Sequence, residues 1–182
     1  SDNIICAGTS VTFTGAPVGT NYNFRVNGGS VQNGALSTFT TTSLTNGQTV
    51  DVIVTSAAGC SGTSGVITMT VNGNPVAGLT SSDGDNIICA GTGVTFTGSG
   101  GSSYEFFVDG TSVQSGLSST YVTSVLSGGQ TVTVKVSNAA GCSTTSAGIT
   151  TVVNANPVAS LVSNDSDNII CAGTSVTFTG AP

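Results

Sequence analysis

Histidine and tryptophan are absent from the 182 residues, Lys and Arg together number 2, and charged residues make up 5%. Without histidine there is no imidazole to act as a general base and no Ser-His or Cys-His couple, so the common nucleophilic enzyme designs are excluded. Two cations against eight carboxylates leave a net charge of −6, which repels a phosphate backbone and removes nucleic acid as a partner. No apolar run reaches the length of a membrane helix, and no secretory leader or sorting tail is legible, so a membrane enters only through the anchoring of a longer parent protein. Apolar residues at helical spacing are also missing. Low charge with abundant Gly, Ser and Thr resembles a disordered tract, but a mean hydropathy of +0.31 and a rich supply of Val, Ile, Phe and Thr favour strands instead.

What is present is repetition. DNIICAGT occurs at 2–9, 85–92 and 167–174, and residues 1–17 return unchanged at 166–182. Tyr22, Phe24, Val26 and Gly28 return as Tyr104, Phe106, Val108 and Gly110, AAGC at 57–60 returns at 139–142, and NPVA at 74–77 returns at 156–159. A single deletion, where TGAPVGTNY (14–22) becomes TGSGGSSY (97–104), accounts for the difference between the spacings. A period of about 82 residues predicts tandem units over 1–74, 75–156 and 157–182, the first lacking its start and the last its remainder, as in a segment of a longer array.

Alternation gives the fold class. Val11 and Phe13, Phe24 and Val26, Val50, Val52 and Val54, and Ile67, Met69 and Val71 each occupy one face of an extended run. The second copy repeats this with Val94 and Phe96, Phe106 and Val108, Val132, Val134 and Val136, and Ile149 and Val153. Asn27-Gly28 and Asp109-Gly110 are hairpin dipeptides, while Asn46-Gly47 and Gly128-Gly129 precede the longest runs. About seven short strands per repeat predict an all-β protein of tandem immunoglobulin-like antiparallel sandwiches forming an extended filament. Tyr22, Phe24, Phe39, Tyr104, Phe106 and Tyr121 read as core. Phe107 falls on the opposite face, where the first copy has Arg25, and is a candidate contact residue.

The five cysteines suggest how so small a core is reinforced. Cys6 and Cys60, then Cys89 and Cys142, sit 54 and 53 residues apart and suit bonds within repeats, with Cys171 left to a partner further on. The alternative joins Cys60 to Cys89 and Cys142 to Cys171, each 29 apart, and staples neighbouring repeats. Immunoglobulin routing puts Cys6 and Cys60 at opposite ends of one sandwich, which sits uneasily with the first scheme. Either scheme needs an oxidising, extracellular setting. Zinc is disfavoured, since no closely spaced ligand pairs and no histidines are available.

Asp83, Asp85 and Asn86 return as Asp165, Asp167 and Asn168 at the expected handover between repeats. Alternating carboxylates with an amide oxygen are hard donors suited to Ca²⁺, which would stiffen a junction; the simpler reading is Asx turns in solvated loops. Arg25 and Lys135 have no cationic counterparts, their equivalents being Phe107 and Ile53, so neither a repeated catalytic site nor a repeated Lys-Asn cross-link is expected.

ICAGTSVTFT, an aromatic strand ending in NG or DG, GQTVxVxV, and AAGC before a final β-run together resemble the Ig/PKD-like tandem repeats of giant cell-surface adhesins of the Bacteroidetes, including flavobacterial gliding-motility adhesins. The strands YNFRVNG and YEFFVDG lack the WDFGDG-type signature of PKD repeats proper. The resemblance implies export by type IX secretion and display as a long thread at the cell surface. On that reading the repeats are spacers of an adhesin filament, partnered by neighbouring repeats, and not an enzyme. The alternative makes the repeats multivalent modules for glycans, ice, cells or other filaments.

Overall fold

A computed structural model describes residues 2–181. It is all-β, and among the described residues no helix is long and apolar enough to cross a membrane. The first set of strands comprises β1 (Ile4–Cys6), β2 (Val11–Thr14), β3 (Asn21–Val26), β4 (Gly29–Gly34), β5 (Thr38–Thr41), β6 (Thr49–Thr55), β7 (Ser61–Thr63), β8 (Ile67–Thr68) and β9 (Thr70–Asn72). The second comprises β10 (Gly78–Ser81), β11 (Ile87–Cys89), β12 (Val94–Ser99), β13 (Ser103–Val108), β14 (Thr111–Gly116), β15 (Thr120–Thr123), β16 (Thr131–Ser137), β17 (Ser143–Thr145), β18 (Ile149–Thr150) and β19 (Val152–Asn154). Two further strands, β20 (Ser160–Ser163) and β21 (Phe178–Ala181), pair with each other.

The second set is complete. Its sheets run β10-β12-β15 and β14-β13-β16-β17, with β18 also on β16, which is the strand order of an immunoglobulin-type sandwich. Alternation works as the sequence predicts: Val132, Val134 and Val136 on β16 point inward with no exposure, and Phe106 and Phe96 meet them from β13 and β12. Tyr121 packs its ring 5.7 Å from that of Phe106, and the Tyr104 hydroxyl donates to Gly101 O at 2.8 Å, so the aromatic body is buried while its polar end is satisfied by a loop. Hairpin turns follow from residues that accept positive φ, namely Asn27 (51°) with Gly28 (77°) and Asp109 (49°) with Gly110 (79°).

One strand changes sheets. β10 pairs antiparallel with β12, whereas β11 pairs parallel with β19, so residues 82–86 carry the chain from one sheet edge to the other. Asn86 makes the crossing at φ 57° and its carbonyl accepts from Val152 N at 2.8 Å. Asparagine tolerates that left-handed geometry because its short side chain bonds locally. Asn3 and Asn168 have the same φ at the matching positions.

The first set has the same order, β4-β3-β6-β7 with β8 on β6, and β1 parallel to β9. Among the described residues its other sheet contains β2 and β5.

Candidate functional site at the joint between repeats

Neither cysteine scheme drawn from the sequence forms. Cys6 at the end of β1 is bonded to Cys142 in the turn after β16, with a Cα separation of 5.5 Å, and Cys60, Cys89 and Cys171 are exposed free thiols. The Cys6–Cys60 and Cys89–Cys142 bonds fail because the two members lie at opposite ends of their own sandwich. Cys60–Cys89 and Cys142–Cys171 fail because the end of one sandwich that carries Cys6 faces the end of the next that carries Cys142. The bond therefore staples consecutive repeats, and in sequence it is the intra-repeat spacing plus one period.

The surrounding contacts are built from backbone and two amides, one of them Asn74, whose Nδ2 donates to Ala7 O at 3.0 Å. Ala7 N donates to Asn72 O at 2.8 Å, which fixes the end of β1 to the end of β9. Asn138 shapes the opposing turn: its Oδ1 accepts from Ala140 N and Cys142 N, each at 3.0 Å, and its N donates to Cys142 O at 2.9 Å. Asn138 Nδ2 then reaches across to Gly73 O at 2.8 Å. Cys142 is 1% exposed and Cys6 is half-buried, so the bond is shielded on the Cys142 side. Gly100, at φ 100°, lies so close to the Val76 carbonyl that a Cβ would collide with it, which lets the loop after β12 rest on the segment linking the two sandwiches. The sequence signal for this joint was the repeated AAGC and ICAG pair; nothing in the sequence singled out Asn138.

The acidic residues are elsewhere. Asp83, Asp85 and Asn86 lie in the strand crossing at the side of the second sandwich, not at the joint expected from the sequence. Asp85 Oδ1 accepts from Ile87 N at 3.0 Å and Asp167 Oδ1 from Ile169 N at 3.0 Å, which is the Asx-turn geometry. Asp83 Oδ2 and Asn86 Oδ1 are buried and without hydrogen-bond partners, as is Asp165 Oδ2, whereas Asn168 Oδ1 accepts from Ser163 Oγ at 3.4 Å. A calcium ion there would have to complete its roughly six to eight oxygens from backbone carbonyls and water as well as these side chains. Among the described residues no three His, Cys, Asp or Glu side chains gather as a metal group.

The unrepeated charges are cross-strand partners. Arg25 stands opposite Asp51 and bonds it through Nε at 2.8 Å and Nη2 at 2.5 Å; this hydrogen bonding raises the guanidinium pKa above its ordinary value. In the second sandwich the same pair of positions holds Phe107 and Thr133, and Lys135 stands opposite Glu105. Phe107 is half-buried beside a bulge in β13, so it offers only part of its ring to a partner.

No family model and no curated protein matches the chain. Among solved structures, the fibronectin(III)-like modules of Clostridium thermocellum CbhA align at TM-score 0.44 and 12% identity over 82% of this chain and 89% of that one. Murine CEACAM1b aligns at 0.39 and 9% over 84% and 96%, and the amphioxus IgVJ-C2 molecule at 0.35 and 14% over 80% and 97%. The strand order itself gives the fold as immunoglobulin-type.

Proposed function

We propose that the chain is a spacer of an extended, secreted cell-surface adhesin, whose sandwiches are held in line by disulfides between successive repeats. The observation that carries this reading is the Cys6–Cys142 bond: a crosslink at a domain boundary adds nothing to a catalytic cleft but restrains the angle between two bodies. An oxidising compartment is required for it. What recurs between the repeats is core, turn, cysteine and joint, which is what a spacer needs.

A repeated binding face has less support. The Thr12–Thr40 hydroxyl pair on the first sandwich, 2.8 Å apart, becomes Thr95 opposite Val122 on the second, so a threonine ladder for ice or glycan is not preserved. Small-angle X-ray scattering with and without reductant tests the spacer reading. The oxidised chain is expected to keep a single narrow distribution of distances between sandwiches that broadens on reduction. An equally broad distribution in both states, or retention of cells or glycans by the isolated chain, would instead support binding modules on flexible links.

A further inference from the structure

Among the described residues, the buried side-chain oxygens without a hydrogen-bond partner are Asp83 Oδ2, Asn86 Oδ1, Thr151 Oγ1 and Asp165 Oδ2, and Asp165 is the repeat of Asp83. The first three belong to one place in the second sandwich, namely the crossing over residues 82–86 and the strand beside which it lands. β11 runs parallel to β19 with Ile87 beside Val152, so Asn86 comes level with Thr151, and Val152 N donates to Asn86 O at 2.8 Å. Thr151 is 1% exposed and lies two residues before Val153, which packs into the core beside Ile88, so its hydroxyl is on the inner face. Asp165 and Asn168, the repeats of Asp83 and Asn86, line one hollow with Ile170 and Val176. Carboxylate and amide therefore share a pocket at the end of the core.

A buried carboxylate oxygen is costly unless it is paired with a cation or held by a metal. The two cations of the chain stand elsewhere: Arg25 is bound to Asp51 in the first sandwich, and Lys135 is opposite Glu105 on β13. Carboxylate, amide and hydroxyl are all hard oxygen donors of the kind calcium takes. The first repeat shows what the position of Thr151 holds when no ligand is served. Met69 stands there, 2% exposed, and packs against Leu44 and Val50. Replacing that thioether by a hydroxyl with no protein partner costs stability unless the hydroxyl is used.

We propose that the crossing of the second sandwich binds one calcium ion through Asp83 Oδ2, Asn86 Oδ1 and Thr151 Oγ1, with backbone carbonyls and water completing the shell. The ion sits where the chain passes from β10, at the edge of one sheet, to β11, at the edge of the other. It therefore ties together the two sheets of one sandwich and leaves the joint between sandwiches untouched. The site goes beyond the spacer reading and does not depend on the Cys6–Cys142 bond.

The test takes the full chain, stripped of metal with a chelator, and titrates it with calcium chloride by calorimetry at fixed ionic strength. Amide exchange at Val152, whose N–H rests on Asn86 O, is followed by nuclear magnetic resonance. Calcium at about ten times its Kd is expected to slow that exchange by about tenfold. Asp83→Asn and Thr151→Val are each expected to weaken calcium binding by about tenfold or more. Thr151→Val keeps the shape of the side chain, and in chelator it is expected to resist denaturant at least as well as its parent, because an unpartnered buried hydroxyl is gone. A chain that gives no calcium response, or one that responds equally to magnesium through charge screening alone, would overturn the proposal. So would a Thr151→Val chain that binds calcium as tightly as its parent. Loss of stability in Thr151→Val without any calcium response in the parent would assign the three oxygens to a bridging water and overturn it as well.

Discussion

In the second sandwich Val132, Val134 and Val136 are completely buried, whereas the matching Val50, Val52 and Val54 of the first are 2%, 6% and 8% exposed. The side chains are the same, and the difference accompanies one edge: β10 lies along β12 in the second sandwich, and among the described residues no strand lies along the matching edge of β2. A sandwich of this size depends on both edges of its smaller sheet, and in the second sandwich that edge strand is residues 78–81, at the start of its own unit. One repeat is tied to its neighbour through the Cys6–Cys142 disulfide.

The largest effect is expected from Cys6→Ser. The bond spans 136 residues, and in the chain-entropy picture its loss removes up to about 5 kcal/mol from the unfolding free energy, measurable by denaturant titration. A change indistinguishable from zero would mean that the two sandwiches are not coupled. Next, Phe106→Ala is expected to cost about 3–5 kcal/mol and Phe24→Ala to fall at the lower end of that span, because the first core can relax toward its open edge. Equal costs would remove the contrast between the two cores.

Asn138→Ser sharpens the comparison at the joint, since Ser56 is the residue found there in the first repeat and offers no amide to reach across. Losing the bond to Gly73 is expected to cost about 1 kcal/mol and to hasten reduction of Cys6–Cys142, read by timed thiol labelling. The smallest effect concerns calcium. Because Asp83, Asp85 and Asn86 sit in the strand crossing, adding or chelating calcium is expected to leave the scattering-derived spacing of the sandwiches unchanged; a chelator-dependent change of spacing would place a metal at the joint after all.

Much of the fold was legible because it is written locally. Alternation at Val50, Val52 and Val54 or at Phe24 and Val26 reports which face is buried, and Asn27-Gly28 and Asp109-Gly110 report their turns, since both properties depend on neighbours one or two residues away. The joint was not legible in the same way. Spacing between Cys6, Cys60, Cys89 and Cys142 carries no information about which end of a sandwich each one occupies; only the routing does, and the conflict between routing and the intra-repeat scheme was the one visible sign. The Asp83–Asn86 stretch misled for a related reason: its position between repeats in sequence is not its position in space, because β10 and β11 both belong to the second sandwich. The open β2 edge was legible in outline, because the unit over 1–74 lacks the residues that match β10 (Gly78–Ser81) of the next.

The most direct test of the account is a non-reducing peptide map of the monomeric chain after alkylation of free thiols. It is expected to give one linked peptide, Cys6 with Cys142, and alkylated Cys60, Cys89 and Cys171. Linked peptides joining Cys6 to Cys60 and Cys89 to Cys142 would mean that each repeat is stapled to itself, and the covalent joint between repeats would be contradicted.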